Sequence, residues 1–114
     1  MEKIAVLGAG SWGTALAIVV GKKGYPVSLW ARDSAAVRSL NSERENIKYL
    51  KGCRFPDTIK ATDDLEEALA EASVVVLAVP SQAVREVVRK ASPYIKPQMY
   101  VVNTAKGFEL ETLK

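Results

Sequence analysis

Histidine is missing from this sequence and cysteine occurs once, at Cys53. A single thiol makes no intrachain disulfide, and without histidine there is no Cys/His cluster for zinc, so no metal ligand set is read here. A reducing compartment is expected, with Cys53 an inert, partly buried thiol. Aromatic residues make up only 7%. No stripe of arginine and lysine interleaves with them, which argues against a nucleic-acid surface. The basic residues are scattered, apart from Lys22-Lys23 and Arg89-Lys90, and leave a formal charge of +3. That excess is either a solvated surface or a mild pull on an anionic ligand. No apolar run approaches the ~18 residues of a membrane span. The opening "MEKIAVLG" carries one lysine and then a strand-length run that glycine ends, which is not a secretory pattern. A cytoplasmic location is expected. Internal repeats, low-complexity tracts and linkers are lacking as well.

What is present is an ordinary globular composition: 114 residues, 48% apolar and 25% charged. That length fits one domain and can bury a real core. The apolar segments alternate in kind. Strands are predicted at 3–8, 26–31 and 73–80, with a last strand and loop over 99–107. Helices are predicted at 11–24, 33–46, 63–72 and 81–91. Gly24 is the expected stop of the first helix. Ser34 or Asp33 would cap the second, and Asp63 followed by Glu66 resembles a capping box for the third. Residues 47–62, broken by Gly52 and Pro56, read as irregular with a short strand near 59–61. Val84, Val87 and Val88 form an apolar stripe expected in the core. Strand-helix alternation predicts an α/β fold, a doubly wound and mostly parallel sheet with helices on both faces. The runs at 3–8, 73–79 and 99–103 suit parallel strands buried on both faces.

The sharpest signal is "AVLGAGSWGTALA", residues 5–17. Gly8, Gly10 and Gly13 lie between a strand and a helix, and a second strand follows about 30 residues after the first. In that setting Gly8 permits the tight turn, Gly10 lets a pyrophosphate approach the backbone, and Gly13 lets the helix pack closely on the sheet. Amides near Ser11 and Trp12 would then face the ligand at the positive end of the helix. The fold is therefore expected to be of the Rossmann type. The end of the second strand discriminates between dinucleotides. An acidic residue there accepts from the ribose hydroxyls of NAD, whereas an arginine nearby suits the 2′-phosphate of NADP. Ala31 stands at the acidic position and Arg32 follows it, which favours NADP. Asp33, one residue on, would serve the ribose hydroxyls and oppose a phosphate, so NAD stays open. Lys106 follows the carboxyl end of the last strand, where such sheets bind ligands, and could meet an anion or a carbonyl.

Several stretches taken together carry a family resemblance. "GAGSWGTALA", "LWAR", "YLKG", "IKATDDLEEAL", "VVLAVPSQAVREV" and "KGFE" resemble, in order and over the whole chain, bacterial NAD(P)-dependent glycerol-3-phosphate dehydrogenases. The resemblance implies that residues 1–114 form the N-terminal dinucleotide-binding domain of an enzyme that reduces dihydroxyacetone phosphate to sn-glycerol 3-phosphate for phospholipid synthesis. It places Ser11 and Trp12 at the pyrophosphate, Arg32 at the adenosine end and Tyr49 along the cofactor. Pro80 and Ser81 would stand by the nicotinamide ribose, and Lys106 with Gly107 would touch both cofactor and substrate. It also implies a helical C-terminal domain bearing the general acid, a lysine, so no catalytic residue is assigned within this chain. The isolated chain is expected to be inactive and the full-length protein a homodimer. Two departures stand out: Lys51 where the family often has proline, and Asp33 where it often has a basic residue. The second weakens the case for strict NADP preference. "FELETLK" stops in mid-pattern, as a fragment would. The competing readings are another reductase with a similar front half, of the 6-phosphogluconate or ketopantoate type, and a free-standing cofactor-binding or redox-sensing module.

Overall fold

A computed structural model describes residues 2–104. The central sheet has five parallel strands: β1 (Lys3–Leu7), β2 (Val27–Trp30), β5 (Ile59–Thr62), β6 (Ala72–Leu77) and β7 (Tyr100–Asn103). They are ordered β5-β2-β1-β6-β7. The chain thus builds outward from β1 to one side, then crosses over and builds to the other. Helices α1 (Ser11–Lys22) and α2 (Ser34–Glu43) lie on one face, and α3 (Leu65–Leu69) and α4 (Ser81–Ala91) on the other. This is the doubly wound, Rossmann-type arrangement that the alternation of segments predicts.

Strand periodicity explains the two cores. Along β1, Ile4 and Val6 join Val27, Leu29, Ala17, Ile18, Val37 and Leu40 on one side. Ala5 and Leu7 join Trp30, Val75, Leu77, Leu69 and Val87 on the other. Every second residue faces the same layer, so an uninterrupted apolar run feeds both. Gly21 brings α1 close to β5: a Cβ there would stand 2.7 Å from Thr58 Oγ1, whose hydroxyl donates to Gly21 O at 2.7 Å. Asn41 ties α2 to β5 in the same way, accepting from Ala61 N and donating to Ala61 O, both at 2.9 Å.

Several expectations need correction. The first part of 47–62 is not irregular: β4 (Leu50–Arg54) pairs with β3 (Glu45–Asn46), the end of the expected second helix, in an antiparallel hairpin. Arg44, left-handed at φ 57°, ends α2 earlier than the expected residue 46 and turns the chain into it. Helix α3 is five residues long, far shorter than 63–72, and its cap is Asp64 rather than Asp63. Asp63 is held outside the helix because its carbonyl accepts from Trp30 Nε1 at 3.1 Å, while Asp64 Oδ1 accepts from Glu66 N at 2.9 Å. The helix ends early because Lys3 Nζ takes the carbonyls of Glu67 and Ala70, at 3.1 and 2.8 Å. Strand β7 is not buried on both faces; Tyr100, Val101 and Val102 are exposed, and β6 is its one strand neighbour among the described residues. Val88 turns outward while Val87 fills the core, and Cys53 is exposed because β4 lies outside the main sheet.

Candidate dinucleotide site

The loops that follow β1, β2 and β6 meet along the carboxyl edge of the sheet. Gly8 N donates to Trp30 O and Ala78 N to Leu7 O, each at 2.9 Å, so the three strand ends are locked in step. The chain reverses build direction between β1 and β6, and open sheets of this kind bind ligands in the crevice above that point.

Each glycine of the turn has its own reason. Gly8 adopts φ +125°, and a Cβ there would lie 2.7 Å from the Ala78 carbonyl oxygen. A Cβ on Gly13 would run into the carbonyl oxygen of Gly8, so α1 rests directly on the turn. Gly10 is different: at φ −79° it needs no special backbone, and a Cβ there would meet nothing within 4 Å. Internal packing therefore does not require glycine at position 10, which borders open space. The first bond of α1 runs from Thr14 N to Gly10 O at 3.0 Å. The amides of Ser11, Trp12 and Gly13 precede that ladder and stand at the positive end of the helix. A diphosphate fits this donor set: bare backbone, several N–H groups and no opposing carboxylate in the first turn of α1.

The β3–β4 hairpin flanks the turn. Asn46, buried in the loop wall, donates from Nδ2 to Ala9 O and to Thr14 Oγ1, both at 2.8 Å, and accepts from Tyr49 N at 3.2 Å. Ser11 Oγ closes the circuit by donating to Tyr49 O at 2.9 Å. Two segments more than thirty residues apart are thereby stitched together beside Gly10. The glycine turn places Ser11 here and the family resemblance Tyr49, whereas Asn46 carries no sequence signal beyond a polar residue heading an apolar-aromatic stretch. Trp12 and Tyr49 stay half-exposed, at 58% and 49%, and Lys48 stands 5.1 Å from the centre of the Tyr49 ring.

At the end of β2, Ala31 is bonded to β5 through Thr62 O. Arg32 reaches across to α4, where Nη2 donates to Glu86 Oε1 at 2.8 Å. Asp33 is committed to capping α2, accepting from Ala35 N at 3.0 Å. Pro80 precedes α4 with φ −56°, and Ser81 begins that helix at the same edge. Lys106 and Gly107 lie outside the described residues. At the opposite, amino edge of the sheet, burial pushes the Lys3 ammonium below its usual 10.5, with Glu67 and Glu71 pulling the other way. The shallow hollow lined by Lys3, Pro26 and Glu67 there has no part in the glycine turn.

Residues 3–114 match the model of the NAD-dependent glycerol-3-phosphate dehydrogenase N-terminus family. The chain belongs to that family. Its relatives include the glycerol-3-phosphate dehydrogenase [NAD(P)+] of Carboxydothermus hydrogenoformans, 52% identical over 94% of this chain and 32% of the relative. That of Moorella thermoacetica is 52% identical over 99% of this chain and 34% of the relative. Among solved structures, the glycerol-3-phosphate dehydrogenase of Coxiella burnetii superposes with a TM-score of 0.86 at 40% identity, covering 90% of this chain and 31% of that one. The chain thus spans about a third of the length of the curated relatives it matches. Among the described residues, no helix is long and apolar enough to cross a membrane.

Proposed function

We propose that this chain is the cofactor-holding part of an oxidoreductase that reduces dihydroxyacetone phosphate to sn-glycerol 3-phosphate with NAD(P)H. The carrying observation is Gly10: bare, unstrained and facing open space at the head of α1. In this reading the amides of Ser11, Trp12 and Gly13 bind the diphosphate, with the Trp12 side chain covering it from the first turn of α1 and Tyr49 from the hairpin side. Arg32 and Asp33 face the adenosine ribose, and Pro80 borders the nicotinamide ribose. Lys106 and Gly107, outside the described residues, are assigned by the family resemblance to cofactor and substrate contacts. The dinucleotide, once bound, supplies the hydride; this chain's residues orient it and screen one side from water. The general acid and most substrate contacts are assigned to a further, helical domain. A cytoplasmic setting and a homodimeric full-length protein belong to the same proposal. The basic excess and the scarcity of thiols agree with it but do not carry it.

Titration of the 114-residue chain with NADPH and NADH tests the reading. Both should bind, weakly, and Arg32→Ala should weaken NADPH more than NADH. Equal losses would remove the 2′-phosphate role from Arg32, and absence of binding by either dinucleotide would end the reading. With dihydroxyacetone phosphate added, this chain should show no turnover approaching the roughly 1–10³ s⁻¹ common among enzymes.

A further inference from the structure

We infer that Glu86, on α4, sets the balance between NAD and NADP by holding the arginine that would receive the 2′-phosphate. The inference rests on the cofactor reading above. Arg32 leaves β2 on one side of β1, whereas Glu86 stands on the helix that follows β6 on the other side. Their 2.8 Å ion pair joins the loop after β2 to the helix after β6, the two strands that flank β1. The pair is exposed, with side-chain accessibilities of 63% and 49%, so it breaks easily. Lys90, one turn further along α4, lies 3.8 Å from the other carboxylate oxygen of Glu86, an exposed contact that offsets part of its charge.

Two ligands meet this bridge differently. A dinucleotide with a free 2′-hydroxyl leaves it closed. One with a 2′-phosphate must draw Arg32 away, or share it, and then faces the Glu86 carboxylate at close range. Asp33 adds a second negative charge beside the same hydroxyl, yet its side chain is already engaged by Ala35 N. Glu86 thus acts through Arg32 as a positioning residue, at the cost of affinity for the phosphorylated cofactor. It lies 54 positions from Arg32, which is why the residues at the β2 end alone left the cofactor open.

The test is fluorescence titration of NADPH and NADH on the full chain and on three variants: Glu86→Gln, Arg32→Ala and the double variant. Glu86→Gln should tighten NADPH by about three- to tenfold, and NADH by less than about twofold, the range expected for freeing one exposed arginine and removing one nearby charge. In the Arg32→Ala background most of that gain should vanish, which a merely structural role for Glu86 would not produce. Higher salt should shrink it. An unchanged NADPH-to-NADH ratio in Glu86→Gln, or a gain that persists in full without Arg32, overturns the inference while leaving the cofactor reading intact. Failure of every form to bind either dinucleotide overturns both. Glu86 is an exposed helical position, and thermal unfolding confirms that each variant is folded.

Discussion

Gly10→Ala and Gly13→Ala should behave as opposites. The second forces a methyl group into the Gly8 carbonyl, so it should cost ~2 kcal/mol or more in urea unfolding. The first meets open space and an extended backbone, so its stability should stay within about 1 kcal/mol of the parent. Binding of both dinucleotides should nonetheless fall at least tenfold, because the added carbon stands where the diphosphate would come. A Gly10→Ala chain that bound normally would disprove the placement of the ligand. Asn46→Ala leaves the Ala9 carbonyl and the Tyr49 amide without their partner, and should lower stability by about 1–3 kcal/mol, read from the denaturant midpoint. The glycines were legible because their spacing is a local property of the first seventeen residues. Asn46 was not, because its meaning lies in Ala9 and Thr14, more than thirty positions away. Glu86 escaped notice for the same reason.

At the scale of elements, the strands were easier to read than the helices were to delimit. β1 and β6 are nearly unbroken apolar runs, the pattern that a parallel strand covered on both faces demands. The composition of "DDLEEALAEA" predicts a longer helix than α3, because the contacts that trim it come from Trp30 and Lys3. Tertiary partners override propensity in such short segments. Since α3 has only five residues and its cap satisfies two amides, Asp64→Ala should destabilise the chain by about 1 kcal/mol. Asp63→Ala should cost less than half of that, because only its main chain is engaged; paired urea curves distinguish the two. The β3–β4 hairpin escaped detection because β4, "LKGCR", is largely exposed and shows no alternation of burial. Its pairing is fixed instead by Glu45, whose carboxylate accepts from Gly52 N at 2.9 Å.

For the molecule as a whole, β7, at one edge of the sheet among the described residues, has a practical consequence. Tyr100 is 75% exposed and Val101 and Val102 are each 46% exposed. An apolar strand at a sheet edge invites pairing with another chain. Solutions of the 114-residue chain should therefore scatter light increasingly with concentration. Val102→Lys should suppress that without changing the affinity for dinucleotide; equal scattering by both would show that the strand is not responsible.

The placement of β1 bears on how the chain is made. Of the five strands of the sheet it is synthesised first, yet its neighbours are β2 and β6, and the latter ends at Leu77. Ile4 through Leu7 must wait for about seventy further residues before their second flank is covered. At ~5–20 residues per second that delay lasts several seconds. Nascent chains arrested before Leu77 emerges should remain sensitive to protease, and those from which Asn103 has also emerged should resist it.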